Sequence, residues 1–222
     1  MEYITSSDFH FKNTAVALGK FEGIHRGHQL LMDEVKKQEL HGLRSVVFTF
    51  DRPTRLTLTG DTEYKQIYTK KERREILEKR GIDILIEHPF TKEFAALTPD
   101  RFIREVLVEK VGAKVIVVGT DFHFGKNRSG SITDLEKLEE ECGYHLIVVE
   151  KLQLDGKDIS STRIRASLEK GAMEEAKALL GRNYSVSGEI LHGNALGRTI
   201  QVPTINQQVP SFKLLPPNGV YV

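Results

Sequence analysis

Two histidines stand three positions apart at a predicted junction between a strand and a helix. They are His25 and His28, in the run Gly19-Lys-Phe-Glu-Gly-Ile-His-Arg-Gly-His28. An apolar segment, 14–18, precedes this run, and the apolar residues after it follow helical spacing. Glycines let a chain turn sharply, and the start of a helix offers unpaired N–H groups to an anion. The pattern predicts a phosphate site that lacks the lysine of a P-loop.

Two other interpretations of this run stay open. Gly19, Gly23 and Gly27 are also typical of a tight turn between a strand and a helix that binds nothing. The histidine pair could bind a metal ion, but no nearby cysteine or acidic cluster completes a zinc site. The local sequence favours phosphate over metal and proves neither.

A second polar group, Ser160, Ser161, Thr162 and Arg163, precedes another predicted helix. One hydroxyl suffices to cap a helix, so three in a row followed by an arginine predict a second phosphate clamp. A capped surface helix with solvated arginines is the alternative. Two such helix starts in one domain would suit a triphosphate held across its reacting bond.

A third candidate is the loop 119–130, which contains Asp121, Phe122 and Phe124. It follows a continuously apolar segment, 115–118, which is typical of a strand buried on both faces. The aromatic residues and glycines suit a loop that packs on a planar ring, with Asp121 accepting a hydrogen bond. A mobile surface loop is the alternative.

These candidates are joined by an alternation of β-branched segments and helical patterns. The expected strands are Thr14–Leu18, Ser45–Phe50, Ile82–Glu87, Lys114–Gly119 and His145–Val149. The expected helices are Gly27–Leu40, Lys70–Arg80, Pro99–Val111, Thr133–Glu141, Thr162–Lys170 and Ala172–Leu180. The alternation predicts an α/β fold, a Rossmann-like doubly wound parallel sheet with helices on both faces. Ligands bind such sheets beyond the carboxyl ends of the strands, where the histidine turn is expected.

Composition narrows the class of protein. The 222 residues suffice for one α/β domain and a small appendage. The net charge of +1 gives no overall positive field that would indicate nucleic acid. The single cysteine, Cys142, excludes an internal disulfide, and we expect it to be structural. Neither a signal sequence nor an apolar run of about 20 residues is present. We therefore expect a soluble, cytoplasmic protein that binds small molecules and neither nucleic acid nor membrane.

The pattern changes after about Gly181, where strand-like pieces and turn residues replace helical spacing. This predicts a domain over residues 1–181 and the start of a β-barrel unit over residues 182–222. Roughly forty residues are too few for an independent all-β domain, so we expect the second unit to be incomplete in this chain.

Together these segments resemble the bacterial bifunctional riboflavin kinase/FAD synthetase family over nearly the whole chain. The run 19–28 resembles the family's form of the H-x-G-H signature of nucleotidylyltransferases, and 160–165 resembles its S-S-T-x-[IV]-R signature. Further resembling segments are Pro89–Leu97 and Gly119–Gly125 from the flavin branch, and Gly188–Gly193, Gly197-Arg198 and Pro203–Asn206 from the kinase barrel.

The resemblance implies that residues 1–181 are an FMN adenylyltransferase domain of nucleotidylyltransferase type, which transfers AMP from ATP to FMN and releases FAD and pyrophosphate. The implied mechanism is an in-line attack with Mg²⁺ as cofactor and no covalent intermediate. The implied catalytic residues are His25, His28 and Arg163. The implied nucleotide- and flavin-binding residues are Gly19, Lys20, Phe21, Glu22, Gly23, Gly27, Asp121, Phe122, Phe124, Ser160, Ser161 and Thr162.

For the C-terminal part, the resemblance implies that Thr204 and Asn206 hold Mg²⁺-nucleotide in a complete kinase domain. Riboflavin phosphorylation is not expected from the chain without the rest of that domain. The family's F-D-G turn has Glu22 here, and its F-[DE]-P-H-P segment is replaced by Phe50–Thr54. Two alternatives stay open: an adenylyltransferase for another acceptor, such as phosphopantetheine or nicotinamide mononucleotide, and a flavin- or nucleotide-binding protein that has lost turnover. The oligomeric state is left open.

Overall fold

The computed structural model describes residues 1–54, 57, 60–61, 63–191 and 204–221. Within these ranges the strands are β1 Glu2–Ile4, β2 Thr14–Leu18, β3 Arg44–Phe50, β4 Ile84–His88, β5 Ala113–Gly119, β6 His145–Val149, β7 Gln153–Leu154, β8 Lys157–Asp158, β9 Glu189–Leu191 and β10 Asn206–Gln208. The helices are α1 Arg26–Lys37, α2 Lys70–Lys79, α3 Lys92–Ala95, α4 Pro99–Arg101, α5 Ile132–Cys142, α6 Ser161–Glu169 and α7 Met173–Leu180.

Six of these strands form one parallel sheet in the order β1-β4-β3-β2-β5-β6. From β2 the chain proceeds outwards through β3 and β4, then returns to the other side of β2 for β5 and β6. The strand order therefore reverses between β2 and β5, at their carboxyl ends. The predicted doubly wound parallel sheet is confirmed.

Residues of β2 alternate between the two faces of this sheet. Val16 and Leu18 belong to one hydrophobic core, and Ala15 and Ala17 belong to the core on the opposite face. All five residues of β2 are buried. A strand covered by helices on both sides explains why the sequence is continuously apolar there rather than alternating with polar residues.

All five expected strands are present, with shifts of one or two residues at some of their ends. Strand β1 was not predicted, because its three residues are too few to show a periodicity. The helix expected over 99–111 begins as α4 and continues as a π-helical segment, Phe102–Lys110, in which the N–H of Val111 bonds to the carbonyl of Val106. The helix expected to reach Leu40 ends at Lys37 and continues as a 3₁₀ turn.

The part of the C-terminal segment that the structure describes contains one antiparallel pair, β9 with β10. Residues 210–214 fold back on the first unit, where Leu214 joins a third core cluster with Ile67, Ile164 and Leu180. The predicted domain boundary at residue 181 stays a prediction. Several residues of the kinase-barrel resemblance lie outside the described residues: His192, Gly193, Gly197, Arg198 and Pro203.

In the described ranges, every helix is too short or too polar to cross a bilayer. Cys142 is a partly buried free thiol at the end of α5, where it packs against the core, as expected of a structural residue.

Candidate active site

The histidine turn lies at the carboxyl end of β2, where the strand order reverses. It begins at Gly19, whose N–H bonds to the carbonyl of Phe48 on β3 (3.3 Å), and ends at His25, the residue that caps α1. The loop that carries Asp121 follows β5, the neighbour of β2 on the other side. The fold therefore places two of the three predicted segments at the edge of the sheet where such folds bind ligands.

Two non-glycine residues of this turn adopt left-handed backbone conformations. Phe21 has a φ of 44° and Ile24 a φ of 41°, and both side chains are completely buried. Such angles are uncommon for bulky residues and persist where the surroundings enforce them. The ring of Phe21 lies edge-on to His28 (5.0 Å between centroids). The buried ring of Phe21 thus packs against His28. Direct contact of Phe21 with a ligand stays a prediction.

The two imidazoles stack on each other, with centroids 3.6 Å apart and ring planes 18° apart. His25 Nδ1 accepts a hydrogen bond from the backbone N–H of His28 (3.2 Å), which caps α1. In neutral His25 the proton must therefore be on Nε2, which can donate it to a ligand. Nδ1 of His28 is buried without a hydrogen-bond partner among the described residues.

Both histidines are neutral near pH 7. Burial, reinforced by the nearby Arg182 guanidinium, lowers the pKa of His25 to about 4. Burial and the neighbouring His25 hold the pKa of His28 well below its usual value. A buried imidazole loses hydration that its charged form needs most. These rings can therefore act as hydrogen-bond donors towards phosphate oxygens, not as fixed cations.

The second predicted corner lies against the first. A Cβ atom added at Gly23 would lie 3.5 Å from Ser161 Oγ and 3.4 Å from Cδ1 of Ile164, both on α6. At Gly27 an added Cβ would lie 3.2 Å from His25 Nδ1. The first turn of α6 therefore lies directly beside the glycine turn, and a phosphate chain could contact both helix starts.

The hydroxyls at the start of α6 have different positions. Ser160 caps the helix, because its Oγ accepts a hydrogen bond from the N–H of Arg163 (3.2 Å). Ser161 is half-buried beside Gly23, and Thr162 is exposed. Ser161 thus lies beside the histidine turn, while ligand binding by Ser160, Ser161 and Thr162 stays a prediction.

The guanidinium of Arg163 is held by protein groups. It donates to the carbonyls of Leu154 (2.8 Å) and Lys157 (3.3 Å) and forms an ion pair with Glu175 (3.0 Å). In this position it joins α6 to the β7–β8 hairpin and to α7. The predicted catalytic role of Arg163 would require the side chain to leave these partners, and it stays a prediction.

Glu22 is likewise engaged inside the protein. Its carboxylate forms an ion pair with Arg165 of α6 and accepts hydrogen bonds from Tyr64 Oη (2.7 Å) and the N–H of Ile67 (3.4 Å). Arg165 also lies over the ring of Tyr64, 4.4 Å from its centroid. The charge at position 22 therefore holds the turn to α6 and to residues 64–67.

Arg182 also supports this turn, and it was not predicted from the sequence. Its guanidinium donates to the carbonyls of Gly23 (3.0 Å) and Ile24 (2.8 Å) and lies over the ring of Tyr68. Arg182 therefore fixes the backbone of the turn at these two peptides. Arg182 follows the end of α7 and belongs to no periodic pattern or motif, so the sequence held no signal for it.

The Asp121 loop combines an exposed acid with packed rings. Asp121 is 70% exposed and forms an ion pair with Lys151 (3.2 Å). Phe122 and Phe124 stack with centroids 5.5 Å apart, and Phe124 is buried against Gly130. Phe124 in this predicted flavin-facing loop is therefore part of the hydrophobic core. Contact between the loop and a flavin stays a prediction.

A small open cleft, with a volume of about 60 Å³, lies beside the carboxyl end of β3. Its polar lining includes Lys20, Thr49, Asp51 and Arg73. Burial, reinforced by Arg128, lowers the pKa of the Lys20 amine. The cleft therefore contains both cationic and acidic side chains, and the Arg73 guanidinium is already paired with Glu87.

Within the ranges described, no three histidine, cysteine or carboxylate side chains are arranged to hold a metal ion. The nearby carboxylates, Glu22 and Asp121, are paired with Arg165 and Lys151. These residues do not fit a resident metal site. Thr204 and Asn206, predicted to bind kinase-type Mg²⁺, are exposed, and that role stays a prediction.

Known proteins resemble this chain in sequence and in structure. The FAD synthetase family matches residues 8–163, and the riboflavin kinase family matches residues 180–222. Bifunctional riboflavin kinase/FMN adenylyltransferases of Listeria monocytogenes and Buchnera aphidicola are 34% identical over 220 and 212 residues; these matches cover 98% and 94% of this chain and 69% and 67% of theirs. The crystal structure of a macrolide-efflux protein from Streptococcus pneumoniae has a TM-score of 0.87 and 31% identity, covering 100% of this chain and 73% of that one.

The FAD synthetase match contains the whole histidine turn and the start of α6, and the riboflavin kinase match begins just before Arg182. The predicted resemblance is thereby confirmed over nearly the full length. The chain belongs to the family of bifunctional riboflavin kinase/FMN adenylyltransferases.

Proposed function

We propose that this chain transfers AMP from ATP to FMN, producing FAD and pyrophosphate. The observation that carries the proposal is the contact between the histidine turn and the first turns of α6, where Gly23 lies beside Ser161 and Glu22 pairs with Arg165. Two helix starts that meet at the switch point of a parallel sheet form a site for a phosphate chain. The match to the FAD synthetase family supports FMN as the acceptor.

In this reaction a phosphate oxygen of FMN attacks the α-phosphorus of ATP while the bond to pyrophosphate breaks. The protein's part is to align the reactants and stabilise the negative charge that develops. Nε2–H of His25 and the ring of His28 donate to phosphate oxygens from one side. Ser161 and the free N–H groups at the start of α6 donate from the other side. Mg²⁺ enters as part of the substrate, bound to the phosphates of ATP.

We also propose that residues 1–181 carry this activity, and that the partners are the small molecules ATP and FMN. The nearly balanced charge of the chain supports small-molecule partners over nucleic acid. The unpaired Cys142 fits a reducing compartment, which supports a cytoplasmic location.

The test is a measurement of pyrophosphate release from ATP with and without FMN, together with chromatographic detection of FAD. We expect release that depends on FMN and equals FAD formation. ATP binding without pyrophosphate release would contradict the proposal and favour a binding protein. Release that requires a different phosphorylated acceptor would contradict the choice of FMN alone.

His28→Ala identifies the site. Loss of one preorganised donor to a developing anion typically lowers the rate by about 10²–10³. The matched control is His145→Ala, because His145 is 70% exposed, pairs with Glu139 and lies on β6, the edge strand farthest from β1. We expect the control to retain full activity.

A further inference from the structure

We propose that Lys213, in the C-terminal segment, is a positioning residue for adenylyl transfer. It holds Ile67, and Ile67 in turn holds the glycine turn in place. The inference rests on the proposed function, since it concerns the same site. Lys213 lies in the riboflavin kinase match, whereas Ile67 and the turn lie in the FAD synthetase match. The C-terminal segment would thus complete the site of the first unit.

Lys213 is a buried cation, only 3% exposed. Its Nζ donates to Glu72 Oε2 (2.7 Å), to the carbonyl of Ile67 (2.7 Å) and to the carbonyl of Ser185 (3.1 Å). The rings of Tyr68 and Tyr184 lie 4.6 and 4.5 Å from Nζ. All three protons of the ammonium group therefore have acceptors.

Glu72 is equally buried, at 2% exposure, and connects the same parts of the chain. Its Oε1 accepts from the N–H of Ser187 (2.8 Å), and its Oε2 accepts from the N–H of Thr69 (2.8 Å) in the capping box of α2. Apolar residues of similar volume often stabilise a fold as well as a buried ion pair does. Stability alone therefore does not explain why Glu72 and Lys213 are charged. A charged pair does explain how the C-terminal segment is held in a single position against residues 65–69.

Ile67 lies between Lys213 and the nucleotide turn. Its carbonyl accepts from Lys213 and from Tyr184 Oη (2.8 Å), and its N–H donates to Glu22 (3.4 Å). Its Cδ1 would lie 3.4 Å from a Cβ at Gly23. A shift of Ile67 would therefore displace both the carboxylate and the glycine that form the phosphate turn.

The neighbouring backbone makes the same connection. The N–H of Gln66 bonds to the carbonyl of Phe212 (2.6 Å), and the N–H of Leu214 bonds to the carbonyl of Gln66 (2.7 Å). Residues 65–68 belong to no helix or extended strand and form one bridge, Gln66 with Lys213. Their position thus depends on the C-terminal segment.

The experiment replaces both charges in the full chain with Glu72→Gln and Lys213→Met, so that neither is left buried alone. We expect a melting temperature close to that of wild type, about a tenfold lower kcat/KM that arises mainly from a higher KM for ATP, and faster amide exchange at residues 65–68. The matched control is Glu39→Gln with Lys36→Met, a second ion pair that also includes a backbone carbonyl. Lys36 bonds to Glu39 (2.7 Å) and to the Gly81 carbonyl (2.7 Å) near the amino ends of the strands, away from the site. The control should leave KM and exchange at 65–68 unchanged.

Tyr184→Phe is the second variant, and it decides the matter if the charge-neutral variant fails to fold. It removes the hydroxyl that lies within hydrogen-bond distance of the carbonyls of Ile67 (2.8 Å) and Leu214 (2.6 Å), and it leaves Lys213 in place. We expect it to raise KM for ATP in the same direction. A folded variant with unchanged KM and unchanged exchange at 65–68 would overturn the inference. Should wild type make no FAD, only the proposed function fails; exchange and ATP affinity measured by calorimetry still decide the role of Lys213.

Discussion

The neutral state of His25 makes the stability of the protein depend on pH in a defined direction. The folded state lowers the pKa of this imidazole from 6.5 to about 4, mainly through burial. Between these values the unfolded chain binds a proton that the folded chain excludes. His25 therefore favours unfolding as pH falls through 6.5, and this effect is absent above that value.

The size of the effect follows from the same two values. At pH 5 the difference from 6.5 corresponds to about 2 kcal/mol of unfolding free energy, since one pKa unit equals about 1.4 kcal/mol. His25→Asn removes the titrating group while keeping a side-chain oxygen that can cap α1. His28 remains in both proteins, and burial, the main cause of its lowered pKa, is retained in the variant.

The assay is urea unfolding of wild type and His25→Asn at pH 5.0 and pH 7.5, at constant ionic strength. Wild type should lose about 2 kcal/mol more than the variant on acidification. Equal losses in the two proteins would refute the conclusion that His25 is buried as a neutral ring, and with it the assignment of Nε2 as a hydrogen-bond donor.

Two further predictions concern the backbone, one near the site and one at the amino end of β5. Arg182→Met should raise KM for ATP about tenfold with little change in melting temperature, because the turn loses the guanidinium at the carbonyls of Gly23 and Ile24, although Gln29 still donates to Ile24 (3.0 Å). Unchanged ATP kinetics would contradict this. Gly112→Ala should lower the unfolding free energy by more than about 2 kcal/mol in a denaturation assay, since φ is +66° and the added Cβ would lie 2.2 Å from the carbonyl oxygen of Phe11. Wild-type stability would contradict that close approach.

The inner strands β2–β5 could be predicted from sequence because they are largely buried on both faces and therefore consist mostly of apolar, often β-branched residues. The edge strand β6 is partly exposed, but it ends in three β-branched residues in succession. The histidine turn and the start of α6 could be predicted because the roles of glycines and hydroxyls at helix starts depend on the local sequence alone. The contact between them, through Gly23, is not local and needed the fold.

Side-chain direction was the main limit of prediction at the site. Arg163 and Arg165 are two positions apart on α6, so they face different directions, and the structure turns Arg165, not Arg163, towards Glu22. Arg182 and Lys213 act across more than 140 positions of the chain. Nothing in their local sequence distinguishes them from solvated surface cations.

The central claim is that the histidine turn and the start of α6 hold the same nucleotide. A double-mutant cycle with His28→Ala and Ser161→Ala tests it most directly, with kcat/KM for ATP as the measured quantity. Since both donors act on one phosphate chain, the double variant should lose clearly less than the product of the two single losses. Losses that multiply, or a Ser161→Ala variant with wild-type kcat/KM, would contradict the shared site.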